Sequence, residues 1–154
     1  MTTTTFKQLV GTRTSLAYTG TGLSTLASAT YVENTTAYPS NTNQPNDVIV
    51  EGVFATTNTP SGNKQVVLFI SESLDGSNYR SGPTSGTTTT REPNLRQLGV
   101  IPLTTASTTE NAKFSVFAAL GYVPYDFFII VKNDLGVALT AGTVWTSEIS
   151  NTGS

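Results

Sequence analysis

The sequence predicts an all-β protein, an antiparallel, jelly-roll-like β-sandwich of about eight strands. Short runs rich in Val, Ile, Phe, Tyr and Thr recur along the chain, with Gly, Pro, Asn and Asp between them, which is typical of strands and turns. No long stretch carries the apolar stripe of an amphipathic helix. The length of 154 residues suits one domain with one core.

The strands are expected to follow an extended N-terminal arm. We assign residues 1–12 to this arm and residues 13–154 to a single sandwich domain. The eight predicted strands are Thr4–Val10, Ala29–Val32, Asp47–Thr56, Lys64–Ser73, Gln97–Leu103, Lys113–Leu120, Asp126–Asn133 and Thr143–Ser150.

Three of these strands differ in how many apolar faces they have. In Asp47–Phe54, the side chains of Val48, Val50 and Phe54 fall on one face, whereas Asp47, Ile49, Glu51 and Val53 fall on the other. Gln65–Glu72 and Phe127–Val131 are apolar on both faces. Such strands are central, or their outer face is covered by a loop or by a neighbouring subunit, and we take them as a hint of oligomerisation.

Composition excludes several function classes. The chain has no His and no Cys, so a Ser-His-Asp triad, imidazole or Cys-type metal sites, and disulfides are excluded, and we expect no catalytic, cofactor or metal residues. Eight scattered cations and a net charge of −2 argue against nucleic-acid binding. No apolar run is longer than that of Phe127–Val131, which is too short to span a membrane, and the start of the chain lacks the apolar region of a secretory signal.

Carboxylates offer the only enzymatic alternative. A glycosidase needs two of them close together, and Glu51, Glu72 and Glu148 all lie in predicted strands. We interpret them as exposed strand carboxylates. Asp75–Asn78 has oxygen ligands for calcium but lacks the remaining acidic positions of an EF-hand loop, so we interpret it as a hairpin turn.

Aromatic side chains offer a binding alternative. Tyr122, Tyr125 and Trp145 are candidates for a platform on which a sugar stacks, although aromatic residues of β proteins more often fill the core or an interface. Gly121–Tyr125 is expected to form a corner between two buried strands.

Three polar stretches are candidates for contact with a partner. They are the N-terminal threonine run, the loop Glu33–Asn46 and the loop Ser81–Pro93; long unstructured loops tend to be functional or disordered. The candidate contact residues are Thr2, Thr3, Thr4, Thr5, Phe6, Tyr38, Pro39, Thr87, Thr88, Thr89, Thr90 and Arg91.

Several segments between about residues 20 and 140 occur in a characteristic order, and they are Leu23–Val32, Ser73–Tyr79, Asn94–Ile101, Phe114–Gly121, Val123–Pro124, Phe127–Asn133 and Leu135–Leu139. This order resembles that of small β-rich virion proteins encoded in the structural-gene region of tailed bacteriophages. One departure follows the Val-Pro corner: members of that group often have an aromatic residue such as tryptophan after the proline, where this chain has Tyr125-Asp126-Phe127. The resemblance supplies no catalytic residues.

The resemblance implies a non-enzymatic capsid decoration or cement protein that binds the outer capsid surface and stabilises the shell. We therefore expect it to be made in the cytoplasm of a bacterial host and to end on the virion exterior. The expected partners are the major capsid protein and further copies of the chain, a trimer being favoured, with no nucleic acid and no membrane. The alternative is a module of a head or tail fibre that binds host-surface glycan through Trp145 and the Tyr122/Tyr125 corner.

Overall fold

The computed structural model describes residues 6–20 and 22–153. Within these ranges the chain forms ten strands, one 3-10 helix and one short α-helix, and no helix there has the length and apolar character needed to cross a membrane. The elements are β1 (Phe6–Val10), β2 (Thr14–Ser15), β3 (Thr30–Glu33), β4 (Asp47–Thr56), β5 (Gln65–Ser73), β6 (Ser85–Gly86), η1 (Glu92–Asn94), β7 (Arg96–Pro102), β8 (Thr108–Ser115), α1 (Val116–Leu120), β9 (Asp126–Asp134) and β10 (Ala141–Gly153).

The strands form two antiparallel sheets. The first has the order β1-β10-β4-β8, with β2 also paired to β10, and the second has the order β6-β3-β9-β5-β7. Most successive long strands cross from one sheet to the other, and this arrangement is the strand order of a jelly roll. The predicted fold class is confirmed. The strand number exceeds the predicted eight because β2 and β6, of two residues each, are too short to show any periodicity.

The main core lies between the two sheets, as the alternation in β4 predicts. Val48, Val50 and Phe54 are fully buried, while the residues between Val48 and Phe54 on the other face are only half-buried. They pack against residues of the second sheet, including Leu68 and Ile129. The face that Val48, Val50 and Phe54 share is therefore the one turned towards the core.

The outer face of the second sheet is covered by the chain itself. Residues 81–95, which we call the strap, lie across this face and bring Leu95 into a second apolar cluster. The other members of the cluster come from three strands, and they are Tyr31, Val67, Phe69 and Ile130. Because a loop of the same chain covers β5 and β9, their two apolar faces no longer indicate oligomerisation, which stays a prediction.

Polar contacts hold the strap in place. Strand β6 within it pairs with β3, and the Tyr31 hydroxyl donates a hydrogen bond to the Glu92 carboxylate. Lys132 also binds Glu92, with 2.8 Å between Nζ and Oε2, and its ammonium lies 5.4 Å from the centre of the Tyr31 ring. One carboxylate thus joins the strap to β3 and β9.

The predicted strand Lys113–Leu120 is wrong at its second half. Strand β8 ends at Ser115, and the next five residues form α1. The Ser115 hydroxyl accepts a hydrogen bond from the Ala118 N–H at 2.8 Å, and Gly121 ends the helix in the left-handed conformation with φ of 84°. These two caps favour a helical turn where composition alone suggests a strand.

Replacing Gly121 with alanine is expected to lower the free energy of unfolding by about 1 kcal/mol, because a β-carbon is disfavoured at positive φ. Apart from the adjacent backbone, no described atom lies within 4 Å of the position that the new methyl group would occupy, so the cost comes from the backbone conformation. Denaturant unfolding measures it. Gly121→Asn is the control, since asparagine tolerates this conformation better and should cost less; equal losses would contradict the explanation.

The described part of the predicted arm forms a strand of its own chain's sheet. Strand β1 pairs with residues 149–153 of β10, whereas the pairing of β10 with β4 reaches only to Ile149. Strand β1 and the last residues of β10 therefore form a two-stranded ribbon that extends beyond the start of β4. Thr2–Thr5 lie outside the described residues.

Candidate functional site

Three loops meet at one end of the sandwich. Ser73 at the end of β5 accepts a hydrogen bond from the Tyr125 N–H at 3.0 Å, and the Tyr125 carbonyl accepts one from the Asn41 N–H at 2.8 Å. These bonds bring the β3–β4, β5–β6 and α1–β9 connections together. We use "loop end" for residues 34–47, 72–80 and 115–126 together with Glu148.

The loop end exposes large apolar side chains. Leu74 is 71% exposed, Tyr125 45% and Tyr122 37%. Leu74 stands between two open pockets. One pocket, of about 370 Å³, is charged and includes Glu72, Arg80 and Tyr122; the other, of about 580 Å³, is lined by uncharged side chains and includes Tyr125.

The loop end is acidic. It contains five carboxylates, whereas its single cation is Arg80, so its formal charge is −4 against −2 for the whole chain. The carboxylates belong to Asp47, Glu72, Asp75, Asp126 and Glu148. They lie together because β4 and β9 begin at this end of the sandwich and β5 ends there. Glu148 joins them because it pairs with Val48, close to the start of β4.

Glu148 is held by neutral donors. Its Oε1 accepts a hydrogen bond from the Tyr38 hydroxyl and its Oε2 one from the Asn43 side-chain amide, both at 2.8 Å. The Tyr38 ring in turn packs on Phe127, with 5.1 Å between ring centres, and the two residues are also joined through their backbones. This carboxylate therefore fixes the β3–β4 loop against both sheets, and no cation in the described part of the chain pairs with it.

The Asp75–Asn78 segment is a turn, as predicted. Asp75 Oδ1 accepts hydrogen bonds from the N–H groups of Asn78 at 2.8 Å and Ser77 at 2.9 Å, and Oδ2 accepts one from the Asn78 amide at 2.6 Å. The bonds from Asn78 and Ser77 hold the pKa of Asp75 well below its usual value. Both oxygens are used within the turn, and the described residues contain no group of three or more acidic side chains arranged to hold a metal ion.

Two buried carboxylate oxygens at the loop end have no hydrogen-bond partner. The Glu72 side chain is only 4% exposed; one of its oxygens binds Arg80 Nε, whereas Oε2 is without a partner. Oδ1 of Asp126 is in the same state. The expectation that Glu72 is an exposed strand carboxylate is therefore wrong, because its side chain belongs to the inner face of β5 at the point where the core ends.

Three tyrosines make the fold sensitive to alkaline pH. Burial raises the pKa of Tyr18 and Tyr38, and partial burial together with the Asp126 carboxylate raises the pKa of Tyr79 to about 12. In the unfolded chain these three hydroxyls ionise near pH 10, whereas in the folded chain they ionise only at higher pH. The stability that they contribute is therefore complete below pH 10 and is lost as the pH rises towards 12.

Melting temperatures between about pH 8 and 11 measure this loss. Tyr79→Phe is expected to make the decline above pH 10 shallower, since its side chain cannot ionise. The same variant at pH 8 is the control, because any difference from wild type there reports the lost hydroxyl contacts and not ionisation. An unchanged decline in Tyr79→Phe would contradict the assignment.

The candidate contact residues do not form one surface. Tyr38 is half-buried and Pro39 exposed at the loop end, whereas the exposed run Thr87–Arg91 lies on the strap, over the outer face of the second sheet. The backbone of Phe6 pairs with Gly153, and Thr2, Thr3, Thr4 and Thr5 are outside the described residues. Whether these residues contact a partner stays a prediction.

The structure does not bring together the residues of the two alternatives. Glu51 lies on the outer face of the first sheet and binds Arg13 at 2.9 Å, whereas Glu148 lies on the inner face of that sheet. The Trp145 ring is covered by the same arginine, 4.1 Å from the ring centre, and not beside the loop-end tyrosines. The prediction of a three-residue aromatic platform is therefore wrong: Tyr122 and Tyr125 lie at the loop end, and Trp145 does not join them.

Sequence reasoning missed Leu74, Arg80 and Asp126 as members of this site. One signal was present, because Leu74 is an apolar residue directly before an Asp-Gly turn, where polar residues are usual. The ion pair between Arg80 and Glu72 had no such signal. Comparison with protein-family models gives no match for this chain, and comparison with curated proteins gives none either.

Proposed function

We propose that the protein is a non-enzymatic structural component of a tailed-phage virion, a decoration or cement protein that binds the outside of the capsid. The observation that carries the proposal is the order of the segments between about residues 20 and 140, which resembles that of small β-rich virion proteins. Each segment is short, and their common order and spacing give the resemblance its weight.

These segments belong to the framework of the fold. Asn94–Ile101 includes most of β7, Phe114–Gly121 contains the helix α1 with its caps, and Phe127–Asn133 fills the centre of β9. Leu135–Leu139 follows β9, and Asn133 bonds to the backbone within it. A resemblance in framework segments supports a shared architecture, and the assignment to the virion rests on that resemblance.

Several polar groups at the loop end hold its loops in place. Glu148 fixes a loop through Tyr38 and Asn43, and Asp75 closes its own turn. This use of carboxylates supports a binding surface in preference to a reaction centre. Such a protein stabilises a shell by mass action, since a ligand that binds only the assembled lattice disfavours its rupture. Assembly as a trimer would add avidity, because several weak contacts then act together.

Glycan binding by a head- or tail-fibre module is the second candidate. The observation that favours it is the exposure of Tyr122 and Tyr125 next to pockets with amide and hydroxyl groups. Titration with neutral oligosaccharides, followed by tyrosine and tryptophan fluorescence, separates it from the first.

The test uses capsids of the phage that encodes the chain, prepared with its gene deleted. Purified protein added to these shells should bind saturably, and the temperature at which the shells release their DNA should rise with occupancy. Shells given an equal concentration of an unrelated acidic protein are the control. Absence of binding, together with a saturable response to oligosaccharide, would replace this function with the second candidate.

A further inference from the structure

We propose that the loop end is the surface that contacts the capsid, and that its partner there is a segment carrying Lys or Arg next to apolar side chains. This inference rests on the proposed function and adds the surface and the chemistry of the partner. Three observations carry it: exposed apolar side chains, an excess of negative charge, and a buried acceptor oxygen without a donor.

The apolar observation concerns a cluster and not single side chains. Leu74 lines both pockets of the loop end, with Tyr122 in the first and Tyr125 in the second. Single exposed apolar residues are ordinary on protein surfaces, whereas adjacent ones rimmed by polar groups mark interaction sites. Tyrosines are also enriched in such interfaces, because the ring packs while the hydroxyl keeps a polar partner.

Charge indicates the sign of the partner. The loop end carries −4, and counting Lys7 of the neighbouring ribbon still leaves −3. Opposite charges attract across an interface and speed association, whereas like charges that face each other weaken binding. A second copy docked through the same end would bring two acidic surfaces together, so the charge favours a basic partner over a symmetric dimer.

A buried oxygen of Glu72 strengthens the negative potential of the charged pocket, which this residue lines. Its Oε2 accepts no hydrogen bond from the described residues, and the Arg80 side chain that pairs with Oε1 is itself 39% exposed to solvent. A carboxylate at a surface cleft with low-dielectric walls concentrates its field outward. The Tyr122 ring at the same pocket adds a face on which a cation packs favourably.

The experiment measures the affinity of the protein for gene-deleted shells at rising ionic strength and in matched variants. Leu74→Lys places a positive charge at the centre of the loop end without touching the core, and Leu74→Ser removes the apolar contact alone. Thr104→Lys adds the same charge at an exposed position of the β7–β8 loop, at the opposite end of the sandwich, and is the control. Melting temperatures establish that all three variants fold.

The wild-type affinity should fall about tenfold or more between roughly 50 and 500 mM NaCl, because screening weakens exposed charge pairs. Leu74→Lys should bind about tenfold more weakly and Leu74→Ser by a smaller factor, while Thr104→Lys stays within about twofold. Folded Leu74 variants with wild-type affinity would overturn this inference alone. Shells that bind no wild-type protein would overturn the proposed function and this inference with it.

Two other occupants of the loop end give distinct results. If oligosaccharide binding is lost in Leu74→Ser and shell binding is not, the surface serves a glycan and the inference is wrong. If light scattering shows an oligomer that Leu74→Lys dissociates, the surface joins copies of the chain, and the inference is again wrong.

Discussion

Replacing Asn133 with alanine is expected to lower the free energy of unfolding by about 4 kcal/mol, a large share of what a domain of this size possesses. Asn133 is fully buried near the end of β9. Its amide donates to the carbonyls of Leu26 and Val137, both at 2.8 Å, and its Oδ1 accepts from the Leu135 N–H at 3.0 Å. Alanine would leave the Val137 carbonyl and the Leu135 N–H without a partner. The Leu26 carbonyl would keep its second hydrogen bond, which comes from the Leu139 N–H at 3.0 Å.

Asn111→Ala is the matched control, because Asn111 is an exposed residue of β8 and its loss should change stability by less than about 0.5 kcal/mol. Denaturant unfolding gives both values. A loss of less than about 1 kcal/mol in Asn133→Ala would contradict the role assigned to this side chain.

Asn133→Asp provides a second, pH-dependent measure. Its carboxylate would face two carbonyl oxygens, which raises the pKa of the new group in the folded state above that of the unfolded chain. The stability of this variant relative to wild type is therefore greatest below the unfolded pKa and is lost as the pH rises through the folded pKa. A relative stability independent of pH would mean that the site relaxes around the charge.

The second large effect is expected for Arg80→Met. The substitution removes the cation that pairs with the almost completely buried Glu72 carboxylate, and no other cation among residues 6–20 and 22–153 does so. Loss of one member of a buried ion pair is strongly destabilising, because the remaining charge is left uncompensated. Since the arginine side chain is itself 39% exposed, solvent screens part of the effect, and we expect about 2 kcal/mol.

A double variant separates the charge from the packing. Adding Glu72→Gln to Arg80→Met removes the stranded charge and should recover most of the lost stability. Arg13→Met is the control: it breaks the more exposed pair with Glu51 and the contact with Trp145, and should cost less than about 1 kcal/mol. If the double variant is no more stable than Arg80→Met, the cost comes from lost packing and not from charge.

Periodicity predicted the fold well where burial follows the strand repeat. The inner face of β4 and the two apolar faces of β5 and β9 follow from alternating side chains, and these strands form the centres of the two sheets. The predicted range of strand β8 lies too far towards the C-terminus. Its own side chains are polar or half-buried, so the apolar run Val116–Leu120 gives the stronger strand signal. The caps Ser115 and Gly121 were the available evidence for a helix.

The site was less predictable, because it depends on contacts between residues far apart in the chain. The sequence indicated that the outer faces of β5 and β9 need a cover, but only the tertiary structure shows that Leu95 and the strap supply it. Similarly, no local pattern places Tyr38 against Glu148, or Leu74 between two pockets. The acidic character of the loop end arises from strand ends that the topology gathers, so it cannot be read from charge spacing.

The central claim is that this chain is a virion protein on the capsid exterior, and its position in the intact particle tests it most directly. Electron cryomicroscopy of the phage that encodes the chain should show density for the sandwich on the outer capsid surface, at local symmetry axes if the protein is a trimer, with the loop end towards the shell. The same density should be absent from particles in which the gene is deleted. Density in the tail or its fibres, or no difference between the two particles, would contradict the claim.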